Sequence, residues 1–206
     1  MIRKLITTLI SLTLIFCMSA TVFADDSASA AAATTTTASA ATTTRTAAQI
    51  KAVKYQKGLA AYIRSRNKKI SRSRAYTLAG YFIKYGKKYN VDPKALMAMA
   101  QHESTFSAAA YNPAGYYGIM QTSASLGRSK GFSKSELFKA QNSIKVAASY
   151  LRYNLKTFHY SYVKGIAGYC CGTYAVKSGN YSRKTAALRI KTRAKIARYL
   201  KNHNYV

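Results

Sequence analysis

Chemistry is first to be sought where an acidic side chain interrupts an apolar helical stripe, and Glu103 does so. Leu96, Met99, Ala100, Glu103 and Phe106 recur at helical spacing and share one face. That face is apolar except for Glu103. A carboxylate there loses hydration, which favours its protonated form and raises its pKa. A glutamic acid that holds its proton near neutrality is a general acid. The alternative for such a residue is a Glu at the stripe's edge that snorkels to solvent. The helix has a well-marked start, with Asp92 as N-cap and Pro93 at the first helical position. After it, Asn112-Pro113-Ala114-Gly115-Tyr116-Tyr117-Gly118 reads as a turn. Ile119-Met120-Gln121 then brings an amide able to bind a polar ligand.

Motifs in this stretch match a known pattern. Glu103-Ser104-Thr105-Phe106 matches a Glu-Ser motif followed by an aromatic, and Ala114-Gly115 with Gly118-Ile119-Met120-Gln121 matches Gly-Leu-Met-Gln after an Ala-Gly turn. A third motif, Ala-Tyr-Asn-x-Gly, is met only in part by Gly168-Tyr169-Cys170-Cys171-Gly172. The lead-in Tyr89-Asn90-Val91-Asp92-Pro93 and the segment from Ile144 to Leu151 fit as well. On these residues the chain resembles the soluble lytic transglycosylase (SLT) family, which cuts the glycan strands of bacterial peptidoglycan. The resemblance implies an all-α, lysozyme-like (goose-type lysozyme-like) helical domain. It implies Glu103 as the catalytic residue and Ser104, Asn112, Met120, Gln121 and Tyr169 as substrate-binding residues. Cys170 stands where the family has Asn, which removes one expected hydrogen bond to substrate but not the acid.

The scarcity of acids bears on mechanism. Beyond Arg45 only Asp92, Glu103 and Glu136 are acidic. Asp92 is committed as an N-cap, and Glu136 pairs with Ser133 in a capping box that opens another helix. Glycosidases that hydrolyse normally use two carboxylates. One carboxylate suffices for transglycosylation, in which the acid protonates the leaving oxygen and the sugar's own C6 hydroxyl attacks. The same carboxylate then takes up the hydroxyl proton, and the nucleophile is already tethered to the reacting ring. This agrees with what the family implies: a lyase-type cleavage of the MurNAc-GlcNAc β-1,4 bond that leaves a 1,6-anhydroMurNAc end. The alternatives are a hydrolytic muramidase and a non-catalytic cationic cell-wall-binding protein.

No cofactor and no metal is expected. His102-Glu103 resembles a zinc-protease opening, but Phe106 stands where the second His belongs. His102, His159 and His203 read as surface or packing residues. Cys170 and Cys171 are expected as free thiols, with an intermolecular bridge or a vicinal disulfide as alternatives. Tyr116 and Tyr117 are candidates for stacking on sugar faces.

These side chains are to be positioned by a single helical domain. Leu78, Phe82, Tyr85 and Tyr89 make a core helix before the Glu103 helix, and Ala147, Tyr150, Leu151, Asn154, Leu155 and Phe158 a later stripe. Val163 to Ala175 is a Gly-punctuated apolar segment, and Thr185 to Leu200 a basic amphipathic helix. Residues 74–206 form the expected catalytic domain, preceded by a basic lead-in over 49–73 whose structure the pattern leaves open.

The N-terminus reads differently. Residues 1–24 carry Arg3 and Lys4, an apolar run from Leu5 to Cys17 and a Val22-Phe23-Ala24 exit, the pattern of a secretory signal peptide. Residues 25–48 are almost entirely Ala, Ser and Thr, a disordered tether reaching roughly 25–30 Å. The expected location is therefore secreted, in the bacterial cell envelope, with no integral membrane span after processing. Of 33 Lys and Arg residues, all but Arg3 and Lys4 lie at or after Arg45. Such a field attracts polyanions. Peptidoglycan glycan strands and anionic wall polymers are the partners expected. Nucleic acid is not, for want of a reader motif.

Overall fold

The computed structural model describes Thr46 to Val206; the expected signal peptide, and all of the expected tether but its last three residues, lie outside the described residues. Thr46 begins the first helix, α1 (Ala47–Arg66), through a capping box in which its hydroxyl accepts from the Gln49 N–H and the Gln49 side chain accepts in return. The basic lead-in is thus helical and continuous with the domain, since Leu59, Tyr62 and Ile63 enter the core. The packed unit begins well before residue 74. Helix α2 (Arg72–Tyr89) follows, capped by Ser71 and closed by Asn90 in the left-handed conformation, and lies along α1.

Helix α3 (Pro93–Ser104) carries Glu103 and is more deeply enclosed than a single apolar stripe predicts. Ala95, Leu96, Met97, Ala98, Met99 and Ala100 are all fully buried, so its middle turns are apolar on every side. Phe106 is not part of the helix. Thr105 and Phe106 both take positive φ, which turns the chain sharply and sends the Phe106 ring back onto Phe82, 6.2 Å between centroids.

The next segment adds three very short strands to the helices. Tyr111–Asn112, Tyr116–Tyr117 and Thr122–Ser123 pair antiparallel as β1, β2 and β3. Two-residue strands cannot show alternation. Short α4 (Ala124–Ser129) comes next, and the Ser133–Glu136 pair caps a single 3-10 turn, Ser135–Phe138, rather than a full helix. Helix α5 (Ala140–Thr157) then packs on α2 and α6 (Tyr162–Cys171). Its buried Asn154 accepts from Thr173 at 2.7 Å, at the start of α7 (Thr173–Lys177), and α6 approaches closely because Gly168 has no Cβ to strike the Asn154 amide.

The last helix, α8 (Arg183–Asn202), closes the domain against α3, α6 and α1. Its docking is partly ionic. Asp92 caps α3 by accepting from the Lys94 N–H, and its other oxygen accepts from Arg193 Nε at 2.6 Å. Burial alone would raise the Asp92 pKa, but the Lys94 N–H and the Arg193 guanidinium outweigh it and hold the carboxyl below its ordinary value. A depressed carboxyl contributes stability above its unfolded pKa and loses it as pH falls through the folded one. Asp92→Ala should therefore cost about 1–2 kcal/mol at neutral pH, mostly as a lost cap, because Arg193 is partly solvated. Thermal melts should show the gap between variant and wild type narrowing once the pH falls below about 4.

Candidate active site

Glu103 stands in the last turn of α3 at the floor of a cleft of about 960 Å³. Its Oε1 accepts from Arg189 Nη2 of α8 at 2.7 Å, with the Glu side chain 20% and the Arg side chain 10% exposed. The acid that interrupts the apolar stripe therefore has a basic partner, which the stripe itself does not reveal. The carboxyl is part of a mostly buried ion pair.

Three walls rise around it. One is the β segment, which contributes Asn112, Tyr116, Gln121 and Thr122 to the lining. Gln121 takes positive φ, and its amide nitrogen donates to the Ala110 and Gly118 carbonyls. The fold thereby holds the Gln121 side chain against the cleft with its amide oxygen still to be used. Asn112 accepts from the Ala114 N–H in an Asx turn, so its exposed amide nitrogen can meet a ligand. The second wall is the end of α6 with Tyr169, Cys170 and Cys171, backed by Tyr150. Tyr169 donates to the Met120 carbonyl at 2.8 Å, which ties α6 to the Gln121 loop. Burial and then the Glu103 charge push the Tyr169 phenol well above its ordinary pKa, so it stays neutral. The third wall is α8, with Thr185 and Arg189.

The structure therefore gathers Glu103, Asn112, Gln121 and Tyr169 in one cleft, and leaves out two of the residues expected there. Ser104 points away and donates to the Ile119 carbonyl at 2.7 Å, joining α3 to the loop. Met120 is wholly buried in the core. Tyr116 faces the cleft, whereas Tyr117 packs inward with Leu137 and Val146. Cys170 and Cys171 are free thiols, and burial pushes that of Cys170 up to about 12. His102 lines the cleft and donates to or accepts from Thr192 at 2.8 Å, and burial together with Arg189 lowers its pKa. Arg189 and Thr122 were not foreseen. Nothing in a chain with 33 basic residues distinguishes Arg189, since its partner is 86 positions away. Among the described residues, Arg189 Nε and Thr122 Oγ1 are buried polar atoms without a partner, and both residues line the cleft.

The family described as Transglycosylase SLT domain matches residues 80–191. No curated protein matches the chain. Among solved structures, the 70 kDa soluble lytic transglycosylase SLT70 from Escherichia coli is 20% identical with a TM-score of 0.50, over 77% of this chain and 29% of its own. An inactive mutant of lytic transglycosylase Slt from Pseudomonas aeruginosa is 19% identical with a TM-score of 0.48, over 61% and 24%. A complex of the 70 kDa soluble lytic transglycosylase with bulgecin A is 22% identical with a TM-score of 0.48, over 71% and 29%. The likeness is one of fold, and the all-α, lysozyme-like helical domain expected from the sequence is the one observed. The chain spans less than a third of the length of these structures.

The β segment depends on one residue more than any other. Gly118 has φ of +73°, and a Cβ there would run into the Leu137 backbone carbonyl. Its own carbonyl receives the Gln121 amide. Gly118→Ala should destabilise the domain by about 2–4 kcal/mol, from left-handed strain and the backbone collision together. Denaturant titration would measure it, with the Tyr117–Leu137 cluster loosening first by hydrogen exchange.

Proposed function

This chain belongs to the Transglycosylase SLT domain family, and from that membership and the cleft we propose that it is a peptidoglycan lytic transglycosylase. Its substrate is the glycan strand, cut at the MurNAc-GlcNAc β-1,4 bond. The observation that carries the reading is electrostatic. Among the described residues the cleft is lined by one carboxylate, that of Glu103. Asp92 is engaged by Lys94 and Arg193, and Glu136 accepts from Ser133 on the surface.

In this reading Glu103 gives its proton to the glycosidic oxygen as the C1–O bond breaks. The C6 hydroxyl of the same MurNAc then bonds to C1, and its proton passes to the Glu103 carboxylate. The residue ends as it began, protonated, and no water is consumed. Gln121, Asn112 and Tyr116 supply amide and aromatic contacts to the saccharide, and Tyr169 fixes the loop that presents Gln121. Hydrolysis would need a second carboxylate to activate water, with roughly 6.5–9.5 Å between the pair for inversion. A non-catalytic wall-binding role would give the acid no task in the cleft beyond its pair with Arg189.

The residues outside the cleft fit an exported protein acting at the envelope: a signal peptide over 1–24, a tether after it, and a basic surface that draws anionic wall polymers. Among the described residues no helix is long and apolar enough to cross a membrane. Glu103→Gln tests the proposal. It should lower turbidity loss on purified sacculi by more than about 100-fold, while wild type yields muropeptides lacking one water at the new end. Equal clearing by the variant, or ends that have gained water, would overturn it.

A further inference from the structure

The geometry points to Arg189 as the positioning residue of this site: its guanidinium holds the Glu103 carboxylate in one orientation and sets the pH range over which cleavage proceeds. This rests on Glu103 being the proton donor.

Arg189 is the one charged residue among the described residues that is buried, at 8% exposure. An Arg is almost never so enclosed unless paired. Here Nη2 donates to Glu103 at 2.7 Å and Nη1 to the Thr185 carbonyl at 3.1 Å, one turn back on its own helix. The guanidinium is therefore anchored before it reaches the acid. Its Nε is buried without a partner, a cost that a purely structural pair has no reason to carry. Nor is the pair the sole tie between α8 and α3, which also meet through Asp92–Arg193 and His102–Thr192, with Ile196 and Leu200 of α8 buried.

The groups facing Glu103 leave Arg189 in control. From α6 come Tyr169 and Cys170, both kept neutral by burial, the thiol to about pH 12. From α3 comes His102, pushed by burial and by Arg189 toward its neutral form, with exposed Lys195 of α8 beyond it. Glu103 also stands in the last turn of α3, where the helix's partial negative end opposes a carboxylate. Arg189 is the fixed cation that offsets this. A proton donor must be protonated in the sugar complex, so the guanidinium works against activity at high pH. In exchange it holds the carboxyl still and stabilises the carboxylate formed when the proton leaves.

Neutral replacements separate this from a packing role. In Arg189→Met and Arg189→Gln the alkaline edge of sacculus clearing should move up by about 1 pH unit or more, with turnover at the optimum lowered. Arg189→Lys, which restores a charge but not the planar fork, should return the edge toward wild type and recover turnover only in part. A readout independent of activity is available because Glu103 and Glu136 are the only glutamates in the chain. With carboxyl-13C glutamate, NMR shows two side-chain titrations, and the Glu103 midpoint alone should rise in the neutral variants. Thermal melts select which neutral variant is folded for the comparison. An unchanged Glu103 midpoint, or an unmoved edge, overturns the role of Arg189. A Glu103→Gln variant that still clears sacculi overturns instead the reading beneath it.

Discussion

The domain depends on the ionic clasp between α3 and α8. Acids are scarce in this chain, five against 33 basic residues, and two of the three beyond Arg45 stand at opposite ends of α3. Asp92 caps the helix start and binds Arg193; Glu103 stands in the last turn and binds Arg189. At about 1.5 Å per residue the two lie roughly 16 Å apart along α3. A strongly basic helix is thus drawn against a helix whose interior turns are wholly apolar. The same clasp that brings α8 into place supplies the cation beside the acid. Stability and chemistry share it.

Opposite the clasp, conformational strain is concentrated where the cleft is shaped. Thr105, Phe106 and Gln121 all take positive φ without being glycine, and Gly115 and Gly118 do so in the same segment. Each non-glycine instance costs on the order of 1 kcal/mol or more. Burial of Phe106, Ile119 and Met120 offsets that cost, and the Tyr169 and Ser104 hydroxyls lock the loop to α6 and α3. Met120 and Ser104 therefore serve the site from behind. They hold the backbone that presents Gln121 rather than meeting the sugar.

What the sequence disclosed follows from which interactions are local. The start of α3 was readable because Asp92 and Pro93 act within one turn, and the stripes of α2, α5 and α8 because burial repeats every 3.6 residues. The Glu-Ser and Gly-Ile-Met-Gln motifs led to the acid for the same reason. The two-residue strands and the 3-10 turn at Ser135 were hidden, being too short to show a period. Phe106 counted as helical by spacing, although two left-handed residues end the helix before it. The lead-in shows no stripe along its length because its buried face, Leu59, Tyr62 and Ile63, is crowded at one end of α1. Arg189 was invisible. Its importance comes from a contact 86 positions away, and no local pattern marks one arginine among many.

One carboxylate acting alone is the claim on which the chemistry turns. Digestion of sacculi in water enriched in oxygen-18 tests it most directly, because only hydrolysis transfers a solvent oxygen to the anomeric carbon. The account predicts new glycan ends with no heavy oxygen. Ends carrying one heavy oxygen each would contradict it, and would require an activated water that no second carboxylate among the described residues lines this cleft to prepare.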